Sequence, residues 1–261
     1  MSQSDSPPVI EFRNVSYRIG GDASRELLHD LNLEVQHGET LVLLGRSGSG
    51  KTTTLKLINH LLTPSSGELR VEARPIRDWD VIRLRRTIGY VIQEVGLFPH
   101  FTVERNIGLV PKIEGWSANR IAERVTELLK LVGLDPETRS RYPRELSGGQ
   151  RQRVGVARAL AADPPILLMD EPFGALDPIT RAELQCEFLD LQKRLRKTVV
   201  FVTHDLREAL LLGTRIALME AGRLVTIQAP EEFLTSTEPL AVAYKDAFGT
   251  GFETRTERGH P

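Results

Sequence analysis

The chain has 261 residues, enough for one large α/β domain or one such domain with an inserted subdomain. Its 40% hydrophobic and 26% charged residues are ordinary for a globular protein, and a net charge of −1 argues against DNA or an anionic membrane surface as a dominant electrostatic partner. One cysteine, Cys186, excludes an intrachain disulfide and a cysteine-based zinc cluster; it is expected to pack as a small apolar group, which suits a reducing compartment.

The opening residues, MSQSDSPPVIEF, carry neither a basic nor an apolar leader region, and no window approaches the ~18 apolar residues of a membrane span. The chain is therefore expected to be soluble and to reach a membrane only through another protein. Residues 1–8 read as a flexible tail. Alternation predicts a strand over 9–19, and a second over 31–35, with a hairpin-like loop over 20–26 between them. Tyr17 on the first strand is either an ordinary strand aromatic or a ring beside a ligand pocket.

Residues 41–44 (LVLL) are apolar without alternation, the pattern of a strand buried on both faces. The chain then breaks into Gly45-Arg46-Ser47-Gly48-Ser49-Gly50-Lys51-Thr52, which fits G-x-x-x-x-G-K-[ST], and continues as a helix-like TTLKLINHLL. Glycines let successive backbone N–H groups turn inward on a phosphate, and the following helix adds its positive end. Lys51 is placed to reach the β- and γ-phosphates, and the Thr52 hydroxyl to complete a Mg²⁺ shell. This stretch predicts nucleoside triphosphate binding.

Further on, TPSSGEL reads as a turn and short strand, and residues 88–99 as an apolar strand ending at Gln93. The basic run RLRR before it is read as a solvated face rather than a nucleic-acid site. From about 98 to 135 the period becomes helical, with Ile121, Val125, Leu128, Leu129 and Val132 on one face, which predicts a helical insertion. Residues 146–162 predict another helix. Strands over 166–170, 198–204, 215–220 and 223–227 alternate with helices over 181–196 and 205–212, which predicts an α/β fold with a largely parallel sheet. The residues beyond Phe248 read as a polar tail.

Further positions carry chemistry. Asp170 ends a buried strand and can hold Mg²⁺ directly or through water, while Glu171, one residue on, can accept a proton from the attacking water. His204 and Gln93 also close strands, and ligands of open parallel sheets gather at those carboxyl ends. His204 is thus read as a donor to the γ-phosphate or the water, and Gln93 as a contact of Mg²⁺ or the water. Ser147-Gly148-Gly149-Gln150, opening a helix, forms a second anion-suited site, and a head-to-tail pair of chains would bring it onto the nucleotide held by the first.

The order GRSGSGKT, Gln93, LSGGQ, ILLMDEP, Ala175-Leu176-Asp177 and His204 resembles the ATP-binding subunits of ABC transporters over about residues 9–235. The resemblance implies a P-loop NTPase (RecA-like) core with a mostly parallel sheet, an antiparallel β subdomain and an α-helical subdomain of about 96–160, within an ATP-binding domain of 9–245 followed by a flexible tail over 249–261. It implies a homodimer holding two ATP molecules. Each ATP lies between Gly45, Arg46, Ser47, Gly48, Ser49, Gly50, Lys51, Thr52, Thr53 and Gln93 of one chain and Ser147, Gly148, Gly149 and Gln150 of the other. Tyr17 is then the adenine-stacking ring, Glu171 the general base with His204 beside it, Thr52, Gln93 and Asp170 the Mg²⁺ contacts, and Asp177 a link across the dimer.

ATP binding would close the dimer and hydrolysis reopen it, driving transmembrane permease subunits from the cytoplasmic face of the inner membrane, with an extracytoplasmic solute-binding protein as an indirect partner and no nucleic acid. Residues 58–69 and 91–116 are similar to subunits of importers for glycine betaine, choline and related osmoprotectants; import of another solute such as an amino acid is the alternative. A soluble ABC ATPase of DNA repair or translation is disfavoured, because there is no long coiled-coil insertion and no second cassette. Two departures from the osmoprotectant group stand out: the chain is too short for the C-terminal CBS domain pair that many members carry, and Arg105 stands where an acidic residue is common.

Overall fold

Every residue of the strand before the phosphate loop is buried, and its place in the sheet explains why. A computed structural model of the chain describes residues 7–20, 25–93 and 95–248. The tails expected over 1–8 and 249–261 lie largely or wholly outside those residues, as does most of the loop expected over 20–26.

In chain order, β1 (Ile10–Ile19) and β2 (Arg25–Val35) are followed by β3 (Thr40–Leu44), α1 (Lys51–Ile58), β4 (Ser66–Val71) and β5 (Arg74–Pro75). Next come α2 (Val81–Arg86), β6 (Ile88–Val91), α3 (Val103–Ile107), α4 (Leu109–Ile113), α5 (Ala118–Leu131) and α6 (Gly148–Leu160). The remainder runs β7 (Ile166–Asp170), α7 (Pro178–Leu195), β8 (Thr198–Thr203), α8 (Leu206–Leu212), β9 (Arg215–Glu220), β10 (Arg223–Gln228), α9 (Pro230–Thr235) and α10 (Pro239–Ala247).

Two sheets result, one antiparallel in the order β2-β1-β4-β5 and one of six strands in the order β10-β9-β3-β8-β7-β6. Five strands of the larger sheet are parallel and β10 is antiparallel at its edge. Alternate side chains of β3 feed two cores. Leu41 and Leu43 pack with Ile10, Phe12, Leu31 and Leu33 of the smaller sheet, while Val42 and Leu44 pack with Phe201 and the helices α6, α7 and α8. Burial on both faces is why LVLL lacks alternation. The helices α3 to α6 gather beyond the β6 edge, with Val103, Ile107, Val125, Leu128 and Val154 in one cluster.

Several expectations shift. The second strand begins at Arg25 rather than at 31, because positive φ at Asn14 (49°) and Asp30 (45°) and the breaks in register beside them interrupt the alternation. The strand expected to reach Gln93 stops at Val91. The helix expected over 146–162 starts at Gly148, with Ser147 as its N-cap. The RLRR run lies on α2, where Arg85 donates to the carbonyls of Asn59 (3.3 Å) and His60 (2.8 Å) just past α1, and Arg86 pairs with Glu114 at 3.1 Å. Two of the three arginines of the run are thus engaged within the chain. Cys186 is exposed rather than packed. Helices α9 and α10 carried no expectation.

The β9–β10 hairpin turns on Ala221 and Gly222, both at positive φ (46° and 79°), the geometry of a two-residue hairpin turn. Gly222 donates its N–H to the Ser49 carbonyl of the phosphate loop at 3.1 Å and accepts from His29 of β2 at 2.9 Å. A Cβ there would lie 2.4 Å from the Leu27 carbonyl oxygen. Gly222→Ala is therefore expected to cost roughly 1–3 kcal/mol, read as a fall of several degrees in melting temperature by calorimetry.

Candidate active site

The carboxyl ends of four adjacent parallel strands stand level. Leu44 pairs with Thr203, Asp170 with Val202, and Val91 with Met169. The residues that follow them, the phosphate loop, Glu171, His204 and Gln93, therefore meet at one edge of the sheet, the place where such sheets bind ligands.

A cavity of about 780 Å³ opens there, large enough for a nucleotide. Its lining includes Arg46, Ser47, Gly48, Ser49, Gly50, Lys51, Thr52, Thr53, Gln93, Glu171 and His204. Gly45 lies beneath, where a Cβ would stand 2.4 Å from the Met219 carbonyl oxygen and 2.5 Å from the Ser49 hydroxyl. Gly50 at φ 101° caps α1 without a side-chain bond, leaving the first N–H groups of the helix free for an anion.

Lys51 is only 4% exposed, and its ammonium donates to the carbonyls of Gly45 at 2.7 Å and Arg46 at 2.9 Å. Burial pushes its pKa below the ordinary lysine range, against the pull of Glu171 and Asp170. The Thr52 hydroxyl donates to Asp170 Oδ1 at 2.9 Å. Burial raises the Asp170 carboxyl above the usual carboxylate range, and the Thr52 bond opposes that. Tyr90 on β6 faces the same carboxyl; burial first and Asp170 second push its phenol upward.

Glu171 follows β7 at φ 45°, an uncommon conformation for a residue with a side chain, while its N–H donates to the Val202 carbonyl at 3.0 Å. That conformation turns its carboxylate to 3.2 Å from His204 Nδ1. His204 is one residue past β8 and Gln93 two past β6, so both are in loops rather than ending strands.

Tyr17 does not line the cavity. It is half-buried against the smaller sheet's core, opposite Leu28, whose side chain lies where a Gly50 Cβ would come within 2.6 Å. Other residues, not anticipated from the sequence, do line it: Arg25 and Leu27 from β2, and Tyr244 and Phe248, whose rings stack at 6.2 Å on and just past α10. Only tertiary placement brings these to the cavity.

Ser147, Gly148, Gly149, Gln150 and Asp177 also lie outside the lining. Ser147 caps α6 in a reciprocal pair, its hydroxyl accepting from the Gln150 N–H at 3.2 Å and its N–H donating to Gln150 Oε1 at 3.0 Å. Asp177 caps α7 through the Thr180 N–H at 3.0 Å, which holds its carboxyl below the usual range. The two caps are neighbours: a Cβ on Gly149 would touch Thr180 at 2.6 Å. No helix among the described residues is long and apolar enough to cross a membrane.

The chain is 52% identical over 226 residues to the choline transport ATP-binding protein OpuBA of Bacillus subtilis (strain 168), covering 87% of this chain and 59% of that one. To the glycine betaine uptake system ATP-binding protein YehX of Escherichia coli (strain K12) it is 52% identical over 227 residues, covering 87% and 73%. The chain thus spans little more than half of OpuBA's length. Among solved structures, the dimeric post-hydrolysis state of the ATP-binding cassette MJ0796 bound to ADP and Pi superposes with a TM-score of 0.77 at 34% identity, covering 85% of this chain and 98% of that one. A family model described as ABC transporter matches residues 28–174, and with these relatives it shows that the chain belongs to the ABC transporter family, as one of its ATP-binding cassettes.

Proposed function

We propose that the protein is the ATP-hydrolysing subunit of an ABC importer, with an ATP-binding domain of 9–245 and a helical subdomain of about 96–160. The observation that carries the reading is the meeting of phosphate loop, Thr52–Asp170 pair and Glu171–His204 pair in one cavity at the strand ends. Phosphoryl transfer to water needs positioning and charge stabilisation rather than a covalent intermediate, and this set supplies both.

The N–H groups from Gly48 to Thr53 cradle the phosphates, and Lys51 exchanges its loop carbonyls for the β- and γ-phosphate oxygens. Tyr17 lies outside the cavity lining, on the strand paired with β2, whose Arg25 and Leu27 do line it, and in this reading it is the ring offered to adenine. Thr52 and Asp170 present two oxygens 2.9 Å apart, a donor pair that suits Mg²⁺, and Gln93 lines the same cavity. That ion, when bound, neutralises charge on the β- and γ-phosphates. Glu171 accepts the proton of the attacking water, and His204 holds Glu171 in place while donating toward the γ-phosphate.

Ser147, Gly148, Gly149, Gln150 and Asp177 lie outside the lining of the chain's own cavity. In this reading they complete the site of a second copy, so that ATP closes a homodimer and hydrolysis reopens it. The helix end at Ser147 suits a γ-phosphate presented by the other chain. The dimer then works at the cytoplasmic face of the membrane on permease subunits loaded by an extracytoplasmic binding protein. Relatives named for choline and glycine betaine support a quaternary-amine osmoprotectant as the solute.

Lys51→Ala is expected to weaken binding of a fluorescent ATP analogue at least tenfold, and unchanged affinity would refute the phosphate role. Glu171→Gln should keep ATP binding, lower turnover by about two orders of magnitude or more, and accumulate an ATP-bound dimer in size-exclusion chromatography. Reconstituted with its permease and binding protein, the complex should show ATPase activity stimulated by glycine betaine or choline; stimulation by an amino acid instead would reassign the solute.

A further inference from the structure

Glu208, on α8, is a carboxyl group only 5% exposed that none of the steps above uses. Burying an acid is costly unless its oxygens are bonded and its charge is met. Its two oxygens bond to different elements. Oε2 accepts from the Thr203 hydroxyl, at the end of β8, at 2.5 Å; Oε1 accepts from the Gln185 side-chain amide, on α7, at 3.0 Å.

The Thr203 oxygen also accepts the Asp205 N–H at 3.0 Å, so both neighbours of His204 are tied to one hydroxyl that Glu208 orients. Asp205 in turn caps α8 through the Arg207 N–H at 2.7 Å. On the same helix α7, Arg181 stands one turn before Gln185. Its guanidinium donates to the carbonyls of Leu176 at 3.1 Å and Gly174 at 3.4 Å, and its buried Nε has no partner among the described residues. Those carbonyls belong to the loop between Glu171 and Asp177.

We propose that Glu208 is a positioning residue for hydrolysis: it ties the His204 loop to α7, and through Arg181 to the loop that carries Asp177, and so sets His204 against Glu171. A shift of the Asp177 loop then reaches His204 through the Arg181 bonds, helix α7 and the two hydrogen bonds of Glu208 rather than through solvent. An apolar residue of the same size would fill the space but leave the Thr203 hydroxyl and the Gln185 amide without their acceptor. The proposal rests on the ATPase reading of the site, and the test separates the two.

In the full-length chain, Glu208→Ala and Thr203→Val should each lower kcat at least tenfold while KM and the affinity for a fluorescent ATP analogue stay within threefold. Glu208→Gln, which keeps both hydrogen bonds once the Gln185 amide turns over, should recover at least a third of the wild-type kcat. The double variant should be no slower than the slower single one, because both changes cut the same link. Histidine ¹³C spectra give a readout without turnover: the His204 ring signal, assigned by its loss in His204→Ala, should move in Glu208→Ala and Thr203→Val and stay near its wild-type position in Glu208→Gln.

Wild-type kcat with an unmoved His204 signal in Glu208→Ala would overturn the assignment, as would losses that multiply in the double variant or a Glu208→Gln as slow as Glu208→Ala. If Glu208→Ala does not fold, Thr203→Val and Glu208→Gln carry the same test. A wild-type protein that neither binds nor turns over ATP would reject the ATPase reading instead, and the spectra would still decide whether Glu208 places His204.

Discussion

The hydrogen bond from Thr52, at the start of α1, to Asp170, at the end of β7, joins residues 118 positions apart across the carboxyl end of β8, which lies between β3 and β7. It forms only if β3, β8 and β7 end level, with Leu44 beside Thr203 and Asp170 beside Val202. A slip of one residue in any of the three would turn its apolar side chains to the wrong core and carry a site residue away from the cavity. Register, enforced by burial on both faces, is thus the constraint from which the geometry of the site follows.

How much of this the sequence reveals depends on whether a feature is local. The phosphate loop, the buried strands around it and the acids at the end of β7 are legible because each is a short pattern with its own physical cause. Glu171 and His204 could be named, but not their 3.2 Å approach, which needs the positive φ at Glu171. Tyr90, Tyr244, Phe248 and Glu208 were not singled out, since nothing in their neighbours distinguishes a side chain facing the site from one facing a core. The second strand was clipped because bulged backbone near Asn14 and Asp30 breaks the period on which strand reading relies. Cys186 was misplaced for a related reason: on an 18-residue helix with few buried positions, identity alone does not fix the face.

The caps at Ser147 and Asp177 show how ordinary helix chemistry serves two ends. Each satisfies N–H groups of its own helix, which suffices to explain a serine and an aspartate at those positions. Their contact through Gly149 and Thr180 also sets two helix N-termini side by side, one capped by a hydroxyl and the other by a carboxylate, on a patch that the chain's own cavity does not use. The same residues therefore have a structural role within one chain and, in the proposed assembly, a chemical role in another.

The strand order has a consequence for how the chain is made. β3 lies between β8 and β9, and Gly38, just before it, bonds Thr198 across 160 positions. At ribosomal speeds of about 5–20 residues per second, TLVLL waits roughly 8–30 s for either neighbour, its backbone unpaired and all its side chains after Thr40 apolar. The antiparallel sheet, built mostly from nearby segments, is able to form meanwhile and offers Leu41 and Leu43 one face to lie against. That small sheet acts as an early shelter for the nascent nucleotide-binding strand, so mutations that weaken it should show first as aggregation during synthesis rather than as slower chemistry in the finished enzyme.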